Sequence, residues 1–228
     1  MKIFYSLFKV TAVTCLFVLQ LLPSVQAQDN GFVGSRIVKI LDEPRHRTVH
    51  VDGDLYLLDI QINPGDMTLP HTHDAAILYT FISNGEGPLF GRVSGNTDYI
   101  TENLTHEVAN EGPGLFRIIA LTNYGAGVVN SELDRARGVA TTPQLENEWF
   151  RSYRITLAAG EETSFQTFSN PSVIVQATEG LLHVTRSDGI TAELSAMGDW
   201  AWRDTNSPYK VINQSNASVE LVINEARR

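Results

Sequence analysis

The sequence predicts an all-β chain built from a duplicated unit. Three observations lead there: short runs of strand-forming residues, glycine- and proline-rich turns between them, and an internal repeat about a hundred residues apart. The runs include 55–62 (LYLLDIQI), 76–82, 116–122, 153–157, 173–176, 181–185 and 219–223. Asn63-Pro64-Gly65, Gly85-Glu86-Gly87-Pro88, Gly112-Pro113-Gly114 and Ser187-Asp188-Gly189 punctuate them as turns. At 228 residues and 43% hydrophobic content, the chain can fill one or two cores.

Residues 1–27 (MKIFYSLFKVTAVTCLFVLQLLPSVQA) read as a secretory signal peptide, with Lys2 and Lys9 in front, an apolar run, a break at Pro23, and Val25-Gln26-Ala27 before the polar Gln28. The run after Lys9 is short for a membrane span, and Cys15 lies inside it without the small-residue context of a lipoprotein site. Cleavage takes the net charge from −9 to −11 and removes the only cysteine. The expected mature protein is exported, periplasmic or extracellular, acidic, and free of disulfides and thiolate metal sites. Without a basic run it offers nothing to nucleic acid, or to a membrane once the leader is gone.

The repeat sets the domain organisation. LYLLDIQINPGD, ending at Asp66, resembles SYRITLAAGEE, ending at Glu162, each an alternating strand that runs into a glycine turn, at Gly65 and Gly160. Further on, GNTDYITENLTHEVAN (95–110) aligns without gaps on GDWAWRDTNSPYKVIN (198–213). The offsets are 95 and 103, so the second copy holds eight more residues between its landmarks. The expected units are 36–126 and 148–228. Residues 127–147 are expected to link them, with a helical turn near 131–137.

The first copy resembles the cupin superfamily in both of its sequence motifs: Gly65, five residues, then His71-Thr-His73; and Gly95 followed at the expected spacing by His106 and Asn110. The resemblance covers most of 36–126, and its specificity comes from the two motifs occurring in order at a plausible separation. With the degenerate second copy, it implies a bicupin: two tandem double-stranded β-helix (jelly-roll) barrels after a signal peptide. A homodimer through sheet edges is the assembly the resemblance suggests, with the oligomeric state open.

The chemistry follows from strand geometry. Residues i and i+2 share a face, so His71 and His73 present both imidazoles to one side, and His106 closes the triangle if the sheet curls into a barrel. Three convergent imidazoles suit one divalent transition metal, Zn, Cu, Fe, Mn or Ni. Uptake outside the cytoplasm would let the affinity order favour Cu(II) or Zn(II).

The cupin motif usually places a glutamate four or five residues after the second histidine, but Ile77 and Leu78 stand there. Asp74 is the alternative fourth ligand, although a residue next to His73 faces the other way on a strand unless a turn re-aims it. An ion on three neutral imidazoles keeps its full charge and should attract anions. Arg92 and Arg117, on strands flanking the second motif, are candidates for a carboxylate clamp, and Tyr79 for a substrate contact. The second copy has Gln166, Phe168 and Tyr209 at the ligand positions and keeps Asn213 where the first has Asn110. It cannot hold a metal with that set. Phe168, Trp200, Trp202 and Tyr209 would fill the barrel or line an apolar pocket, and the two asparagines are expected to be structural.

The expected function is therefore metal-dependent binding of, or action on, a small anionic or oxygen-rich metabolite. An enzyme of this kind would be an isomerase, lyase or dioxygenase, with Asp74, Tyr79 or Asp98 as the available acid or base and no catalytic residue assigned. A non-catalytic ligand binder and a purely structural protein are the alternatives.

Overall fold

A computed structural model describes residues 36–130 and 134–228. The expected signal peptide lies outside them. Among the described residues the regular secondary structure is almost all strand, with two short 3-10 turns besides. In the first unit β1 (Val38–Lys39), β2 (His46–Asp52), β3 (Leu55–Ile62), β4 (His71–His73), β5 (Ala76–Asn84), β6 (Pro88–Asn96), β7 (Leu104–His106) and β8 (Phe116–Asn123) form two sheets, β2-β3-β8-β5-β6 and β1-β4-β7. In the second, β9 (Leu145–Glu146), β10 (Phe150–Leu157), β11 (Ser172–Gln176), β12 (Leu182–Arg186), β13 (Thr191–Leu194), β14 (Trp200–Arg203), β15 (Tyr209–Asn213) and β16 (Val219–Ala226) form β14-β11-β16-β10-β9 and β13-β12-β15. Each unit is thus a five-stranded sheet opposed to a three-stranded one, and the expected all-β, two-barrel architecture is present.

The duplication reaches individual hydrogen bonds. Gly65, at φ +74°, donates to the Asn110 carbonyl at 2.8 Å, and Gly160, at φ +73°, donates to that of Asn213 at 3.1 Å. Glycine adopts this left-handed backbone without the Cβ clash that other residues incur. The Asn110 side chain donates to the carbonyls of Ile62 and Gly114, and that of Asn213 to Leu157, Ala158 and Ala217, all within 3.0 Å. Both asparagines therefore clamp turns, as their persistence in both copies predicts.

The large sheet of the first barrel is apolar on both faces. Leu58, Ile60, Ile62, Ile77, Ile118 and Ala120 fill the barrel interior. From the other face Leu55, Leu57, Leu78, Ile82, Ile119 and Leu121 pack with Phe150, Val173, Val175 and Ala226 of the second unit. A sheet buried on both sides needs nearly continuous hydrophobic strands, which is why LYLLDIQI alternates imperfectly. Polar contacts pin the junction. Asn224 donates to Thr80 Oγ1 at 2.7 Å, and Arg154 to the carbonyls of Phe90 and Gly91 at 3.0 and 2.6 Å. Gly91, at φ +66°, lies so close that a Cβ there would stand 2.7 Å from that of Ala177.

The stretch expected to link the barrels contributes β9 to the second large sheet. Its Asp134 accepts hydrogen bonds from Arg151, Arg227 and Asn170 at 2.7–2.9 Å. The helical turn expected near 131–137 needs correction: 131–133 lie outside the described residues, and Arg137 forms an antiparallel bridge with Thr167. Backbone pairing there replaces the local bonds that a helical turn would have made.

Candidate metal centre

Strand β4 pairs with β7 so that His71 lies opposite His106 and His73 opposite Leu104. On this small sheet the three imidazoles share the face turned towards the large sheet, while Thr72 and Thr105 bond to one another at 2.8 Å. One ring nitrogen from each histidine lies within 4.8 Å of the other two. Nε2 of His73 and Nε2 of His106 are 3.0 Å apart. Nδ1 of His71 donates to the Leu69 carbonyl at 2.9 Å, which directs its Nε2 lone pair inward, where that atom is buried without a protein partner.

This donor set fits a divalent metal. Burial pushes the His71 and His106 imidazoles down to about 4, helped by the neighbouring His46, and that of His73 to about 2, helped by His106 and His71. All three are neutral at physiological pH, the form that ligates a cation. Without a cation, the contact between the two Nε2 atoms is a hydrogen bond donated by whichever ring carries its proton there. A first-row ion would instead take a lone pair from each ring, with the protons on the other ring nitrogens.

The other expected site residues fall unevenly. The Tyr79 hydroxyl lies 3.4 Å from His73 Nδ1, at the far side of that ring. Asp74 turns away from the convergent nitrogens, accepting from the Tyr124 hydroxyl at 2.8 Å and standing 3.9 Å from Lys39. The fourth-ligand expectation for Asp74 is corrected on that ground. The clamp expected of Arg117 is corrected as well. Its guanidinium leaves the barrel interior, bonds Asp59 at 3.0 and 3.2 Å, and donates to the carbonyls of Met197 and Gly198 in the second barrel. Arg92 lies exposed on β6, at the edge of the sheet, and does not reach the cavity beside the histidines. Ile77 packs into the barrel interior as expected of an apolar wall, whereas Leu78 faces the junction between barrels.

That cavity measures about 430 Å³ and opens over His73 and His106. Its walls are mainly apolar, with Ile60, Ile62, Phe81, Leu104, Phe116 and Ile118 among them. His46, Tyr79, Tyr99 and Glu107 supply the remaining polar edges, and among the described residues no lysine or arginine lines it. His46 and its partner Glu43 were not singled out by motif spacing. His46 is buried in ring contact with His71, the centroids 4.4 Å apart, and its Nδ1 lies 2.6 Å from Glu43 Oε2. Burial alone would raise the Glu43 carboxyl, but bonds from His46 and from the backbone N–H groups of Leu69 and Arg45 hold it down at about 2. The Glu-x-x-His spacing was the available signal.

The second barrel is filled where the first has its histidines. Phe168 stacks on Tyr209 at 6.1 Å between centroids and meets Tyr153 edge-on at 5.8 Å. Trp200 and Trp202 instead pack at the junction, where His50 lies 4.3 Å from the Trp202 ring. They take no part in filling the barrel.

No protein-family model and no curated protein sequence matches the chain. Among solved structures, it is similar to AerE from Microcystis aeruginosa, with a TM-score of 0.55 at 13% identity over 80% of this chain and 97% of that one. A cupin 2 conserved barrel domain protein from Leptotrichia buccalis gives 0.46 at 10% identity over 79% and 88%. A cupin domain from Bordetella pertussis gives 0.34 at 27% identity over 38% of this chain and 91% of that one. The likeness to AerE is one of fold. The chain is thus similar in fold to solved cupin-domain structures, and its first barrel carries a three-histidine cluster that could hold a metal ion.

Proposed function

We propose that the first barrel binds one divalent transition metal through His71, His73 and His106, and that the ion holds the anionic head of a small organic ligand whose body occupies the adjacent cavity. The observation that carries this reading is the convergence of three neutral imidazoles, those of His71 and His73 buried and that of His106 partly so, beside a mostly apolar cavity. Zn, Cu, Fe, Mn or Ni would supply an open Lewis-acid position there. The chain's own residues do the rest. The Leu69 carbonyl fixes the His71 tautomer, Ile60 and Ile118 shed water from around the ligand, and Tyr79 backs the His73 ring. No lysine or arginine among the described residues lines the cavity, so the metal would be the main anchor for negative charge. This favours a ligand with one carboxylate over a multiply charged, oxygen-rich one.

Residues 1–27 support placing this activity outside the cytoplasm, after cleavage. The test is elemental analysis of the purified protein, with one ion expected per chain and none in the His71→Ala/His106→Ala variant. Two ions per chain, or one surviving both substitutions, would overturn the assignment.

A further inference from the structure

The two barrels differ at one strand edge. In the first, β2 covers the outer edge of β3: Arg47 pairs with Asp59, His46 with Ile60, and the Gln61 N–H donates to the Arg45 carbonyl at 3.1 Å. The repeat offset of 95 carries Asp59, Ile60 and Gln61 onto Arg154, Ile155 and Thr156 of β10. There the covering strand stops short. β9 pairs with Arg151 and Ser152, and the Gln144 N–H donates to the Ser152 carbonyl at 2.8 Å. Earlier in the chain, Arg137 exchanges backbone bonds with Thr167 at 2.8 and 2.9 Å. Between these two attachments β10 is left bare. Alternate residues of an antiparallel strand turn both backbone groups to one side, so Arg154 and Thr156 point theirs the same way as Ser152, into the gap. Among the described residues neither has a backbone partner on that side.

The gap is a walled cavity of about 410 Å³, lined by residues 154–157 and by Gly138, Ala140 and Thr141. Gln166 lines it too, 2% exposed and with its Oε1 buried without a hydrogen-bond partner. Gln166 stands at the repeat position of His71, and in the first barrel that position touches His46, the residue opposite Ile60. A segment filling the gap as β2 does would therefore set its middle residue beside Gln166, where a hydroxyl would supply the donor that Oε1 lacks. The charged lining is acidic. Glu162 pairs with Lys210 at 2.7 Å, and the Arg154 guanidinium is held by Glu220 and by the carbonyls of Phe90 and Gly91. Glu161 has no ion pair among the described residues.

We infer that the second barrel binds a short extended peptide in this gap: about three residues, matching Arg45–Arg47 of the first barrel, that pair with Arg154 and Thr156 as an added strand. Its middle residue is a serine or threonine facing Gln166, and its flanks carry lysine. The histidine cluster of the first barrel takes no part.

The experiment is calorimetric titration of residues 28–228 with acetyl-Lys-Ser-Lys-amide, with its alanine counterpart acetyl-Lys-Ala-Lys-amide, and with the serine peptide N-methylated on all three residues. The alanine peptide should bind about fivefold more weakly, through loss of one hydrogen bond, and the N-methylated peptide not at all. Gln166→Leu should make the serine and alanine peptides equal. Thr156→Pro removes one edge donor without touching the bonds to β16, and should weaken both about tenfold. Should either variant fail to fold, the three peptides on the wild-type chain still decide. No binding of the serine peptide at millimolar concentration, or equal binding of its N-methylated form, overturns the inference. Equal affinity for serine and alanine peptides overturns the role of Gln166. A wild-type dimer that Thr156→Pro converts to monomer in sedimentation would give the gap to a second copy of the chain, and overturns the peptide assignment as well.

Discussion

Burial does two things to the histidine cluster: it keeps the rings neutral and it makes the metal-free protein sensitive to acid. His73 is the deepest case, its folded pKa near 2 against 6.5 for a free imidazole. As pH falls below 6.5 the unfolded chain takes up a proton that the folded one refuses, so stability is lost in that direction. At pH 5 the loss from His73 alone is about 2 kcal/mol. Glu225 works the other way. Burial raises its carboxyl to about 7, and the stability it contributes at low pH disappears as pH rises through that value. Comparison with a variant cancels the Glu225 effect. Urea unfolding of chelator-treated protein should show wild type losing about 2 kcal/mol more than His73→Gln between pH 7 and pH 5. Parallel losses would mean that His73 is solvated in the metal-free state.

At the scale of a strand, β5 shows how one residue of register decides between chemistry and packing. Ile77 and Tyr79 point into the first barrel, while Leu78 and Ile82 point into the junction. The glutamate usual in this motif would have to stand at 77 to approach the histidines. Ile77→Glu should therefore lower stability without metal and recover it when Zn(II) is added, as the carboxylate gains a cation. Leu78→Glu buries a charge among hydrocarbons with no cation near, and should cost about 3 kcal/mol or more whether or not zinc is present. Thermal unfolding with and without Zn(II) separates the two. A zinc-dependent gain in Leu78→Glu larger than in Ile77→Glu would reverse the faces assigned to β5.

The same strand shows what was legible in the sequence. Alternation, glycine turns and the His-x-His spacing are local, so the strands, the duplication and the triad His71, His73 and His106 could be read directly. The roles of Glu43 and His46 could not. They precede both motifs, and His46 reaches the site only because β2 pairs with β3, setting His46 opposite Ile60. Arg117 was misplaced for a related reason. Its strand position was readable, but its face is set by Asp59 beside it and by carbonyls of a barrel some eighty residues further along.

For the whole molecule, the junction makes each barrel a condition of the other. Leu55, Leu57, Leu78, Ile82, Ile119 and Leu121 are all nearly inaccessible, and they face the second barrel rather than the cavity of the first. Exposing six such side chains costs on the order of 10 kcal/mol at about 1.5–3 kcal/mol each. That figure is an upper bound, because the unfolded chain hides some of the same surface. It still matches the whole stability of an ordinary domain, roughly 5–15 kcal/mol. Asp59 would also lose the Arg117 geometry that the Met197 and Gly198 carbonyls support. The first unit should therefore not fold alone, even though all three histidines lie within it. A fragment of residues 36–126 is expected to lack cooperative thermal unfolding, to bind a hydrophobic dye, and to take up less than one ion per chain under conditions where residues 28–228 take up one. A fragment that unfolds cooperatively and holds a full ion would show that the second barrel is an attachment rather than part of the core.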